Sequence, residues 1–206
     1  MQGRILFIAL VISAAVGCED VQIRFGEATA PAIKPAGPAC LTEVHPDTSY
    51  YGVRYVDLPV ELRKQNYKGG SCYHASFGNC LTQQGFHEAA LDYWDSFAHG
   101  ASTSTVATNA EKKGFRYAYT TNGDPDFLRW CADTRRWAAI TYKPNHAINF
   151  VGLENNGQTV VLLDNNKTKH YERVPAGEFF RRWKGYGGGG ITVVYDPMPP
   201  QPLARN

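Results

Sequence analysis

Apolar residues recur at mixed three- and four-residue spacings through Ala75, Phe77, Leu81, Phe86, Ala89, Ala90, Tyr93 and Trp94. This predicts helical structure after the break at Gly69-Gly70-Ser71, with an interruption at Gly85. A second helix is predicted over residues 104–113, between Ser/Thr cap residues and Gly114. Asp124-Pro125 suits a third helix start, with Phe127, Leu128, Trp130 and Cys131 packing beneath it. The pattern then changes. Residues 137–142 form an apolar run ahead of Pro144, and residues 147–153 and 159–163 flank the turn signal Asn155-Asn156-Gly157, which predicts an antiparallel hairpin. Residues 191–195 form a last strand after a glycine run. Helices first and antiparallel strands last make an α+β layout.

The ends read differently. Arg4 precedes an uncharged, mostly apolar stretch over residues 5–17 that is too short to span a bilayer comfortably, so residues 1–18 read as an export signal. Cys18 after Gly17 is similar to the lipidation site of bacterial lipoproteins, although Ala15 stands where Leu is usual; lipid anchoring and simple release both stay open. Residues 19–39 are Pro/Ala-rich and read as an extended tether, residues 40–197 as the folded domain, and residues 198–206 as a proline-rich tail. The expected location is therefore outside the cytosol: periplasmic, envelope-anchored or secreted.

Composition narrows the function. The 206-residue chain is 43% hydrophobic and 19% charged, which supports one ordinary core. A formal net charge of +2, with scattered Lys and Arg, gives no basic stripe for nucleic acid. The histidines and cysteines show no paired ligand spacing, so neither metal nor cofactor is expected. Export permits disulfides; with Cys72 kept free, Cys40, Cys80 and Cys131 leave room for one bridge whose pairing stays open.

Cys72 stands after a glycine pair and before a helical pattern, where uncapped N–H groups and the positive end of the helix dipole lower a thiol's pKa and make it nucleophilic. A buried structural cysteine is the competing reading. His146 opens the first hairpin strand at the rim of the sheet and is the candidate base. His45, His74, His87, His99 and His170 read as solvated or packing residues, with His74 facing away on the helix. Asp164 and Asn165 close the return strand beside His146. Adjacent strand residues face opposite sides, so only one of the two can orient the base.

These residues carry a resemblance to the papain-like cysteine peptidases. Gly70-Ser71-Cys72-Tyr73-His74-Ala75-Ser76 resembles that family's Gly-Ser-Cys-Trp-Ala-Phe-Ser, and the stretch from His146 to Leu153 is similar to its His-Ala-Val-x-x-Val-Gly-Tyr. The run from Val161 to Asn165 lines up with Ile-Leu-Ile-Lys-Asn, and Gly190 to Pro197 resembles the closing Gly-Ile…Tyr-Pro segment. The stretch from Ala110 to Tyr117 is similar to a helix ending in Gly-Ile ahead of a tyrosine. The resemblance implies a papain-like α+β fold, with an N-terminal helical half carrying the nucleophile packed on a C-terminal antiparallel half. It implies a Cys72–His146–Asn165 triad. It also implies an oxyanion amide six residues before the cysteine, which falls on Asn66; Gln65, one residue further back, has the longer reach and is favoured.

The departures are specific. Gly69 replaces a usual cysteine, the triad Asn lacks its following Trp, and the Cys–His gap is 146 − 72 = 74 residues, against about 130–150 in the family. The short gap is also similar to the leader-processing peptidases of bacteriocin exporters, which use Asp as third residue and keep Asp164 as an alternative. The expectation is a monomeric exported cysteine peptidase acting on polypeptides through a thioester acyl-enzyme, touching membrane only through an N-terminal lipid or uncleaved signal. A peptidoglycan amidase or transpeptidase, and an inactive papain-like binding domain, are the competing readings.

Overall fold

The helical periodicity after Ser71 and the hairpin signals further on are both realised in the computed structural model, which describes residues 22–24, 57–66, 70–97 and 99–195. Cys18, Cys40, His45, Gly69, the export signal, most of the tether and the tail lie outside the described residues. Helix α1 (Cys72–Gln83) ends at the Gln84-Gly85 turn, and α2 (His87–Ser96) follows. Helix α3 (Thr103–Lys112) starts at Ser102, whose hydroxyl accepts the Thr105 N–H, and α4 (Pro125–Asp133) starts at Asp124, whose carboxylate accepts the Asp126 N–H.

The strands form one antiparallel sheet in the order β1-β2-β7-β3-β4-β5-β6. Its central hairpin joins β4 (Ala147–Glu154) to β5 (Thr159–Leu163) through Asn155-Asn156-Gly157, all three at positive φ. Strand β3 (Ala138–Thr141) lies beside β4, and β7 (Gly190–Val193) beside β3. Gln22–Arg24, within the expected tether, pairs as edge strand β1 with β2 (Tyr117–Thr120).

Both sheet faces are covered, which explains why β4 and β5 read as almost unbroken apolar runs. Ala147, Val151, Val161 and Leu163 join the core beneath α1, α2 and α3. Ile148, Phe150, Val160 and Leu162 join a second core with Phe127 and Leu128 of α4. Helix α1 is the centre of the first layer and is buried along all twelve residues.

The structure corrects the expected helix-then-strand order. Strand β2 precedes α4, and helix α5 (Ala176–Gly185) lies between edge strand β6 (Tyr171–Pro175) and β7. Helix α5 buries only Phe179 and Trp183, one turn apart, so its apolar signal is thin. Strand β6 carries Glu172 and Arg173 and ends on Pro175, a composition that suits an edge and reads like a turn. No bridge joins Cys72, Cys80 or Cys131, which are buried free thiols. The glycine run is closely packed: the Gly189 carbonyl accepts from Thr141 N–H and Trp183 Nε1, and the Gly188 carbonyl from Gly123 N–H.

Candidate active site

Two local devices bring the nucleophile and the base together. At the first, Gly70 takes φ +76°, a left-handed backbone that favours glycine, and a Cβ there would make only ordinary contact with the Gly100 backbone at 3.5 Å. The chain then enters α1 at Ser71, whose side chain makes no cap, so Cys72 stands in the first turn of the helix with the Tyr73 N–H on its sulfur. The second device is the β3–β4 loop. Lys143 and Asn145 both adopt left-handed φ, and the Tyr142 N–H closes on the His146 carbonyl at 2.9 Å, setting His146 at the mouth of β4.

Cys72 Sγ accepts N–H hydrogen bonds from Ala147 at 3.3 Å and from Tyr73, and is hydrogen-bonded to the His146 ring. His146 Nε2 lies 2.9 Å from Asp164 Oδ1, which leaves Nδ1 for the sulfur. Burial raises the Cys72 thiol, but the His146 hydrogen bond, the two backbone N–H groups and the imidazolium charge outweigh it and lower its pKa overall. His146 is raised to about 9, first by its bond to Asp164 and then by Cys72, against burial. Burial alone would raise Asp164; bonds from His146, the Asn166 N–H and Lys143 instead hold it well below the usual carboxylate range. The three groups therefore favour a thiolate–imidazolium–carboxylate arrangement.

Asn165 is not the residue on the base. Its Nδ2 faces inward, within 2.8–2.9 Å of the carbonyls of Cys72 and Ala147 and the hydroxyl of Ser76. It fastens the nucleophile's helix to the base's strand, and Asp164 holds the imidazole. The strand register explains the exchange. Asn149 pairs with Leu163, so one step on Ile148 faces Asp164 and Ala147 faces Asn165. Asp164 thus becomes the diagonal same-face neighbour of His146.

The two oxyanion candidates sit in different surroundings. Gln65 is exposed and lines a separate groove with Glu61, Arg63 and Leu91, away from Cys72. Asn66 sits nearer: its N–H bonds the Asn165 carbonyl at 2.9 Å, and its Oδ1 accepts the Ser71 hydroxyl at 2.8 Å. Its Nδ2 donates to Asn166 Oδ1 at 3.3 Å, and Asn166 Nδ2 lies 3.4 Å from His146 Nε2. His74 does not face solvent; it is buried, with Nδ1 3.0 Å from the Tyr93 hydroxyl, and burial lowers it to about 4.

A cleft of about 720 Å³ opens over Cys72 and His146. Gly100, Ser102, Thr103, Lys143, Tyr186 and Gly189 are among the residues that line it. Sequence reasoning missed Lys143 and Asn166, which both touch the triad. Nothing in their spacing marks them, because each is placed by a loop whose shape the sequence pattern does not encode. Among the described residues, no group of three His, Cys, Asp or Glu side chains is placed to hold a metal ion.

Neither the models of known families nor the curated proteins give a match to this chain. Among solved structures it is similar to a double glycine motif protease from an AMS/PCAT transporter, in complex with the leader peptide, at 15% identity and a TM-score of 0.45 over 63% of this chain and 87% of that one. It is similar as well to the peptidase domain of Streptococcus mutans ComA, at 14% identity and a TM-score of 0.45 over 65% of this chain and 99% of that one.

Proposed function

We propose that the chain is a cysteine peptidase that hydrolyses peptide bonds through Cys72, His146 and Asp164. One observation carries this reading: the Cys72 sulfur, at an uncapped helix N-terminus, is bonded to a histidine whose other nitrogen is held by a carboxylate at 2.9 Å. That arrangement supplies an activated thiolate and a proton for the leaving group in one place. The thiolate attacks the substrate carbonyl and forms the C–S bond. The oxyanion is received by the Cys72 N–H and by Asn66 Nδ2, released from its exposed partner Asn166. The imidazolium gives its proton to the leaving amine as the C–N bond breaks, and water attacks the thioester with His146 as base, restoring the thiol. An open cleft with Gly70 and Gly100 on its wall admits an extended polypeptide.

Iodoacetamide labelling followed by peptide mapping tests this. Cys72 should react far faster than an ordinary thiol at pH 6–7, and His146→Ala should remove the advantage; slow labelling unchanged in that variant overturns the proposal. Loss of peptide-library cleavage in Cys72→Ala, with purified peptidoglycan as the competing substrate, assigns the substrate class. We further propose export through residues 1–18, which fractionation of cells expressing the full chain and its Cys18→Ala variant would check.

A further inference from the structure

Asp164 has two oxygens, and the site uses both. Oδ1 receives His146 Nε2 at 2.9 Å and the Asn166 N–H at 3.0 Å, while Oδ2 receives Lys143 Nζ at 3.1 Å. The carboxylate is 6% exposed, so these partners replace nearly all of its water. Lys143 reaches it from the loop that carries His146, three residues before it, and lines the cleft wall. It does so from a left-handed backbone, φ +80°, that side chains disfavour. Among the described residues, the other charged and titratable groups close enough to act on Lys143 include Glu172 of β6 and Tyr142; those acting most strongly on His146 are Asp164 and Cys72.

The charges sum in a telling way. With Cys72 as thiolate, His146 as imidazolium, Asp164 as carboxylate and Lys143 as ammonium, the group is neutral. Without Lys143 it would carry one net negative charge in a partly buried pocket, and the imidazolium would be held more tightly. That same proton must be handed to the leaving amine, and an acid that holds its proton too firmly is a slow donor. Resting on the function proposed above, we infer that Lys143 is a positioning residue: it holds Asp164 by its second oxygen, fixes the carboxylate's orientation toward His146, and limits how firmly His146 keeps its proton.

The test is an NMR titration of the His146 ring in the full chain, in parallel with the pH dependence of Cys72 alkylation. Lys143→Met should raise the His146 midpoint by roughly 0.5–1 pH unit and carry the alkaline limb of alkylation with it. Lys143→Arg should keep both near their original values, because the positive charge stays within reach of Oδ2. Lys143→Gly suits the positive φ, so it keeps the loop's shape while removing the ammonium, and should behave like Lys143→Met. An unmoved His146 midpoint in Met and Gly, or an equal movement in Arg, overturns the inference. Uniformly slow Cys72 alkylation would instead count against the peptidase reading, and the His146 titration would still decide the role of Lys143.

Discussion

Asp164 and Asn165 are neighbours in the chain and both are buried, yet their removal should read out differently. Asp164→Asn takes away the anion that steadies the imidazolium. The His146 midpoint should fall from about 9 toward 6.5, and kcat/KM near neutral pH by about 10²-fold or more, read from pH-rate profiles. Asn165→Ala should leave that midpoint in place and cost about 2–3 kcal/mol in urea denaturation, because the buried carbonyls of Cys72 and Ala147 lose their donor.

The same two titrations fix how stability follows pH. His146 is raised in the folded state, so its contribution is complete below 6.5 and is lost as pH rises through about 9. Asp164 is depressed, so its contribution is complete above 3.8 and is lost as pH falls toward its lower folded value. Cys72 is lowered, so its contribution grows as pH rises toward 9.0 and offsets the His146 loss over that range. In Cys72→Ala, where that offset is gone, denaturation midpoints should be highest between pH 3.8 and 6.5 and decline toward pH 9; a profile that rises from pH 6.5 to 9 in that variant would contradict the imidazolium–carboxylate pair.

At the scale of elements, α1 is fastened to the sheet by amides as well as by apolar packing. Asn149 Nδ2 donates to the Ser76 carbonyl at 2.8 Å, and Asn79 Nδ2 donates to Asn149 Oδ1 at 3.0 Å. Asn149→Ala leaves both partners buried without it and should destabilise the domain by about 2–3 kcal/mol, with the His146 midpoint unmoved. Gly189 lines the cleft. A Cβ there would meet the Thr103 hydroxyl at 2.2 Å and the Thr141 hydroxyl at 2.8 Å, and Thr103 is itself bonded to Tyr73. Gly189→Ala should cost about 1–3 kcal/mol and raise KM, as calorimetry and steady-state kinetics would show. Of these elements, the strongly periodic or capped ones were legible in the sequence: α1, α4 and the β4–β5 hairpin. Edge strand β6 and helix α5 were not, because each buries too little apolar surface to leave a pattern, and edge strand β1 is only the three residues Gln22–Arg24.

Over the whole molecule, the sheet separates two cores, and the cysteines are divided by depth. Cys80 lies between α1 and the sheet, Cys131 in the core beyond it, and burial raises both thiols far above their usual range. Native labelling with iodoacetamide should therefore modify Cys72 and spare Cys80 and Cys131, which should react only after denaturation. Labelling of either at the Cys72 rate in the native state would contradict this packing.

The sequence by itself determined which residues could do the chemistry. Cys72 follows a glycine turn and opens a helix, His146 opens a strand, and a two-residue choice closes the partner strand, all within local patterns. What it could not determine is which of Asp164 and Asn165 meets the base. In the register set at the turn, Gly152 pairs with Val161, and continuing it would place Asn165 opposite Ile148, beside His146. The bulge between Phe150 and Gly152 inserts Val151 and shifts the pairing, so Phe150 meets Leu162 and Asp164 takes that place. Asn165 moves opposite Ala147 and turns under α1. One extra residue in a buried strand leaves no mark on a run that is apolar on both faces, so only the tertiary packing of β4 against two cores decided the third member of the site.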